Sequence, residues 1–132
     1  MLLDTHIWIR WLLPTDPLSK NILKIIEEEK IIQISAISCW EVTLLSLRNR
    51  IKLPIPIDEW LFEATTGSDI QVLPITCQIS QLAGSLPEHH KDPADRIIIA
   101  TAITHNINLI SLDQIFPSYT ELDGYLYSDK KR

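Results

Sequence analysis

The chain is poor in glycine, with three in 132 residues, poor in cysteine, with two, and only 7% aromatic. With so little glycine there is no low-complexity linker, and no stretch repeats another, so the sequence reads as one domain without an internal boundary. Cys39 and Cys77 form no Cys-x-x-Cys pair and have no histidine at zinc-finger spacing; they read as free buried thiols of a reducing compartment. No run approaches the roughly 18 apolar residues of a membrane span. Met1-Leu2-Leu3-Asp4 puts an acid where a secretory signal carries bases, which makes the expected location cytoplasmic, with no membrane partner. Basic residues are in deficit as well, 12 Lys and Arg against 17 Asp and Glu, for a formal charge of −5. That balance argues against broad electrostatic adhesion to RNA, DNA or anionic lipid, but not against a nucleic-acid enzyme whose acids hold metal.

What is present is 45% hydrophobic residues, punctuated by eight prolines at segment boundaries. Short aliphatic runs alternate with longer stretches of helical period. This is the pattern of an α/β fold, a three-layer α/β/α sandwich around a central parallel sheet of four to five strands. Strands are expected at residues 1–3, 31–37, 70–73 and 108–112, with a weak fifth at 119–122 before a turn at Asp123-Gly124. One helix is expected from Pro17 with Asp16 as its N-cap, and another from Cys39 with Trp40, Leu44, Leu47 and Ile51 facing inward. Further helices start near Asp58 and Thr76, and residues 93–105 form one that is apolar nearly all round and therefore central. The domain spans residues 1–124, with a short tail at 125–132.

In a parallel sheet every strand exits at one edge, and ligands bind outside those carboxyl ends. Four acids fall there: Asp4 closes the first strand, Glu41 follows the second, Asp95 opens the central helix and Asp113 follows the fourth strand. Such a cluster repels itself unless neutralised. Hard oxygen ligands without paired histidine or cysteine suit Mg²⁺ or Mn²⁺, and metal-assisted phosphodiester hydrolysis is the chemistry that follows. Each acid also has a local explanation. Asp4, closing a strand, can simply cap the next turn; Ser38-Cys39-Trp40-Glu41 reads as a capping box, Asp92-Pro93-Ala94-Asp95 as a helix start with Asp92 at the cap, and Asp113 as a turn former. Around this rim Thr5 and Ser111 are placed to orient a carboxylate, while His6, Asp92 and Arg96 are candidates for outer contacts or substrate. His89 and His90 lie near the same crevice, where they either touch a phosphate or base or are plain polar loop residues; they are not expected to be metal ligands. Arg48, Arg50 and Lys52 form a basic stretch that either tracks a phosphate backbone or ends a solvated helix.

Taken in order, Leu2-Leu3-Asp4-Thr5-His6, Ser35-Ala36-Ile37-Ser38-Cys39-Trp40-Glu41, His89-His90-Lys91-Asp92-Pro93-Ala94-Asp95-Arg96 and Leu109-Ile110-Ser111-Leu112-Asp113 resemble the PIN domain in its short bacterial VapC-type toxin form, over nearly the whole chain. The resemblance implies a Mg²⁺- or Mn²⁺-dependent endoribonuclease acting on RNA, commonly a homodimer, neutralised by a cognate antitoxin protein. It implies Asp4 and Asp95 as the principal metal ligands, Glu41 as a further ligand or water-positioning acid, Asp113 in the fourth position and a contribution from Asp92. Ala94 stands where this subgroup often carries an aromatic residue, and Leu112 where a polar or basic one is more usual; neither departure removes an acid.

Two other readings stay open on the residues alone: a non-catalytic interaction module whose acids only cap helices, and a metal-dependent phosphatase of small phosphoesters. Trp8, Trp11, Leu12 and Leu13, close together after Asp4, are expected to supply part of a surface for a second copy or for an antitoxin segment.

Overall fold

The computed structural model describes residues 1–127. Strands β1 (Leu2–Leu3), β2 (Gln33–Ser35), β3 (Gln71–Leu73), β4 (Leu109–Ile110) and β5 (Leu126–Tyr127) pair in parallel in the order β3-β2-β1-β4-β5. Helices α1 (Thr5–Leu12), α2 (Lys20–Glu28), α3 (Ala36–Leu47), α4 (Ile57–Glu63), α5 (Cys77–Ser85) and α6 (Pro93–His105) occupy the connections. Parallel neighbours need such crossovers, and these place helices on both faces of the sheet. The α/β/α architecture read from the sequence is the one observed.

The period-two alternation of strands divides the core. Leu3 and Ile110 face one way, into a cluster with Ile7 and Trp8 of α1, Ile22 and Ile26 of α2 and Trp60 of α4. Leu2 and Leu109 face the other way, against Ile98, Ile99 and Ala102 of α6 and the buried rings of Phe116 and Tyr119. Ala100 of α6 packs instead on Ile79 and Ala83 of α5. Helix α6 is therefore covered on several sides, as its apolar circumference requires. From β1 the chain steps outward to β2 and β3, then crosses back to β4 and β5 on the opposite side. The order thus reverses between β1 and β4, which opens a crevice at their carboxyl ends.

Several local expectations are corrected. Residues 5–12 are a helix, and the next one starts at Lys20, where the Ser19 side chain accepts from the Ile22 N–H. Asp16 is not a cap; it pairs with Arg10 at 3.3 Å. Helix α3 starts at Ala36 under a Ser35 cap, so the second strand is shorter than expected and Ser38 sits inside the helix instead of capping it. The expected inward stripe on α3 fails too: Trp40 is 53% and Leu47 72% exposed, while Ser38 and Val42 are buried. Residues 119–122 are not a strand. Phe116–Ser118 and Thr120–Leu122 are 3₁₀ turns that send Tyr119 and Leu122 into the core, and the fifth strand comes after the turn at Gly124, in the stretch expected to be tail. The part of that tail from residue 128 onward lies outside the described residues. Both cysteines are free, but Cys77 is exposed and Cys39 half-buried. Trp8 and Leu13 are core residues, so the four-residue apolar surface expected after Asp4 is not present as such.

Trp8 is the largest fully buried side chain; its ring lies 5.3 Å from that of Trp60 and its Nε1–H donates to the Ala64 carbonyl at 3.1 Å. It ties α1 to the end of α4. Trp8→Ala should lower the unfolding free energy by about 3–5 kcal/mol, measured by urea denaturation, because it leaves both a cavity and an unpaired carbonyl.

Candidate metal centre

Asp4 follows β1 directly and is almost wholly buried. Its backbone N–H continues the sheet by donating to the Ile110 carbonyl at 3.0 Å, which fixes the residue across from the end of β4. One carboxylate oxygen accepts the Thr5 N–H at 2.8 Å, as an N-cap does for α1, and the other accepts the Ser111 hydroxyl at 2.7 Å. Ser111 thus joins two segments at the switch point.

Glu41 lies in the second turn of α3, five residues past its start. Thr5 Oγ1 donates to Glu41 Oε1. Thr5 has one hydroxyl hydrogen, so its 2.7 Å contact with the buried Ser38 hydroxyl is a bond in which Ser38 donates. A chain Ser38→Thr5→Glu41 aims the glutamate across α1. With α3 beginning at Ala36, Glu41 has no capping duty, and the local explanation read from the sequence falls away for this residue.

Asp92 caps α6, accepting the Ala94 N–H at 2.9 Å, while Pro93 occupies the first helical position, where a missing N–H costs nothing. Asp95, one turn in, is buried. Asp113 accepts the Ile115 N–H at 2.8 Å through Oδ1. Its Oδ2 and the Oδ2 of Asp95 both meet His90 Nε2, at 3.0 and 2.8 Å.

Glu41, Asp92 and Asp95 bring one ligand atom each within 4.8 Å of one another; so do His90, Asp95 and Asp113, and Asp95 belongs to both groups. Burial first, then the like charges of Asp4, Asp92, Glu41 and Asp113, push the Asp95 carboxyl up to about 8. Burial raises Asp4 as well, against the Ser111 and Thr5 hydrogen bonds and the charge of His6. Burial also raises Glu41, with Asp4 and Asp92 adding to it and the Thr5 bond opposing it. Arg96 does not relieve the crowding. Its five N–H groups go to the carbonyls of Ala83, Gly84, Leu86, Pro87 and His90, at 2.7 to 3.3 Å. Crowded carboxylates, from buried Asp4 and Asp95 to half-buried Glu41 and Asp113 and exposed Asp92, that repel one another and offer hard oxygens at this spacing fit a divalent cation.

Every acid singled out in the sequence lies at this crevice, and Thr5 and Ser111 donate to two of them. His6 is exposed, near enough to bias Asp4 and Glu41. Arg96 is corrected from a candidate substrate contact to a strap on the end of α5, since its hydrogens are already spent on backbone. Arg48, Arg50 and Lys52 follow the far end of α3; Arg48 is about 10 Å along the axis from Glu41 at 1.5 Å per residue. Sequence reasoning places His90 near the crevice but does not foresee its contact with Asp95 and Asp113. The signal available was its position, two residues before the cap of the helix that carries Asp95.

Residues 1–122 match the PIN domain. Ribonuclease VapC22 of Mycobacterium tuberculosis (strain ATCC 25618 / H37Rv) is 33% identical over 120 residues, 90% of this chain and 91% of that protein. Two solved structures share the fold. A toxin–antitoxin complex from Klebsiella pneumoniae aligns with a TM-score of 0.68 at 19% identity, over 99% of this chain and 98% of that one. VapBC2 from Rickettsia felis bound to a DNA fragment from their promoter aligns with a TM-score of 0.69 at 19% identity, over 98% of each chain. With the full-length match and the relative at this identity, the chain belongs to the PIN-domain family, in its VapC-type form.

Proposed function

We propose that the protein is a metal-dependent endoribonuclease, the toxin of a toxin–antitoxin pair, which hydrolyses RNA phosphodiester bonds in the cytoplasm. The observation that carries this reading is the gathering of Asp4, Glu41, Asp92, Asp95 and Asp113 from separate segments into one crevice, where burial disfavours the charge of Glu41 and Asp95. A scaffold that used its acids only as caps has no need of Glu41 inside α3 or of Asp95 at this depth. The relative named a ribonuclease supports RNA as substrate. The solved complexes that share the fold support a protein antitoxin as partner. Exposed Trp40 and Leu47 on α3 leave apolar surface for a homodimer to cover.

Asp4, Asp95 and Asp113 would hold Mg²⁺ or Mn²⁺, with Glu41 as a further ligand or a positioner of water. When bound, the cation supplies positive charge against the phosphodiester and makes water a better nucleophile at neutral pH. The chain's own residues do the rest. Ser111 and the Thr5 N–H set the plane of the Asp4 carboxylate, and the Thr5 hydroxyl sets that of Glu41. Burial and its acidic neighbours raise the Asp95 carboxyl to about 8 in the metal-free chain, so uptake of a cation there would be linked to release of a proton. His6, exposed beside Asp4 and Glu41, is placed to meet a phosphate of the RNA.

Asp95→Asn should abolish Mn²⁺-dependent cleavage, read by sequencing RNA ends after brief expression of wild type and variant; a variant that still cuts ends the assignment. In the metal-free state the same substitution should raise the melting temperature at pH 8 by on the order of 5 °C, since it removes a buried like charge.

The pH dependence has a definite sign. Asp95 ordinarily titrates at 3.8 and here at about 8, so across that window the folded chain keeps a proton that the unfolded chain has released. Stability of the metal-free protein should therefore fall as pH rises from about 4 to 8, and added Mn²⁺ should restore it at the upper end. Differential scanning calorimetry with and without chelator checks both halves, and Asp95→Asn should flatten the slope.

A further inference from the structure

Among the described residues, His90 is the histidine whose ring nitrogen meets the acid cluster, and it is held from several directions. Its backbone N–H donates to the Tyr119 hydroxyl at 2.8 Å, and its carbonyl accepts from Arg96 Nη1 at 3.1 Å. Its ring stands edge-on to Phe116 with centroids 6.0 Å apart. Tyr119 and Phe116 are fully buried, so these anchors belong to the core behind the site and do not depend on the acids. On the other side Nε2 lies 2.8 Å from Asp95 Oδ2 and 3.0 Å from Asp113 Oδ2. An imidazole nitrogen facing two carboxylate oxygens serves as a donor, and Nδ1, which the Asp92 N–H faces at 3.5 Å, is left as the acceptor.

We propose that His90 is the positioning residue of the metal centre. Donating through Nε2, it draws one oxygen each of Asp95 and Asp113 together and so sets how these two carboxylates present themselves to the cation. The inference rests on the metal-dependent reading above and adds a role that acts through the ligands rather than on the RNA. Outer hydrogen bonds of this kind fix the orientation of ligating groups, and their loss typically costs 10–100-fold in metal affinity. The device also explains the local sequence: Arg96, Tyr119 and Phe116 converge on the loop that carries the histidine, and an anchored backbone delivers the ring to a fixed place.

The test is Mn²⁺ uptake by the full chain, followed by electron paramagnetic resonance, for wild type, His90→Ala, His90→Gln and Tyr119→Phe, with kcat and KM for RNA measured alongside. His90→Ala should weaken Mn²⁺ binding about tenfold or more and lower kcat while leaving KM for RNA unchanged. His90→Gln, whose amide N–H reaches close to the place of Nε2, should recover most of the affinity. Tyr119→Phe keeps the buried ring, removes only the anchor, and should shift affinity in the same direction by a smaller factor. Wild-type affinity in His90→Ala overturns the proposal, as does tighter binding, which would make the imidazole a competitor of the cation. A nitrogen coupling to Mn²⁺ that disappears in His90→Ala also overturns it, since His90 would then be a ligand itself. A wild-type chain that takes up no Mn²⁺ overturns the metal-dependent reading as well, whereas the other failures leave that reading standing.

Discussion

Carboxylates that share a buried crevice repel one another and lose the water that would have stabilised their charge, and much of this fold is arranged around that constraint. The strands at the switch point are two residues long, so Asp4 and Ser111 follow the sheet at once and stay close to its hydrogen-bond ladder. Backbone N–H groups at helix and turn starts absorb part of the cost: Thr5 N–H serves Asp4, Ala94 N–H serves Asp92 and Ile115 N–H serves Asp113. Glu41 and Asp95 receive no such N–H, and their carboxyls are raised. The crevice is thus built at a cost in stability.

Capping and membership of the acid cluster therefore fall on the same residues here. Asp4 and Asp92 each cap a helix and each belong to the acid cluster, because a helix start at the carboxyl edge of a parallel sheet is where both duties fall. For these two positions the sequence alone left function and capping open. Glu41 differs: once α3 begins at Ala36, its side-chain partner among the described residues is the Thr5 hydroxyl of another helix.

The acids were legible before the structure because strand ends and helix starts carry strong local signals: an apolar run closed by Asp4, or Asp92-Pro93 opening α6, whose bounds agree with the expectation. Other elements were not, for identifiable reasons. Helix α3 has apolar residues on several faces, so periodicity does not choose among them, and Trp40 and Leu47 ended on the outside. The fifth strand has two residues and is held by pairing with β4, from the Leu109 and Ser111 N–H groups to the Tyr125 and Tyr127 carbonyls, which no local pattern announces. Tyr119, with its β-forming character, entered the core from a 3₁₀ turn instead. His90 lies in a loop of polar residues, and only the rings of Tyr119 and Phe116, more than twenty residues later, give it a place.

The hydrogen bond from Ser111 to Asp4 spans 107 residues. The hydroxyl that sets the Asp4 carboxylate, the aspartate that completes the cluster and the rings that seat His90 all lie more than a hundred residues after Asp4. A nascent or truncated polypeptide that ends before this segment contains Asp4, Glu41 and even Asp95 without the partners that assemble them. Assembly of the acid cluster is in this way deferred until translation of the domain is nearly complete.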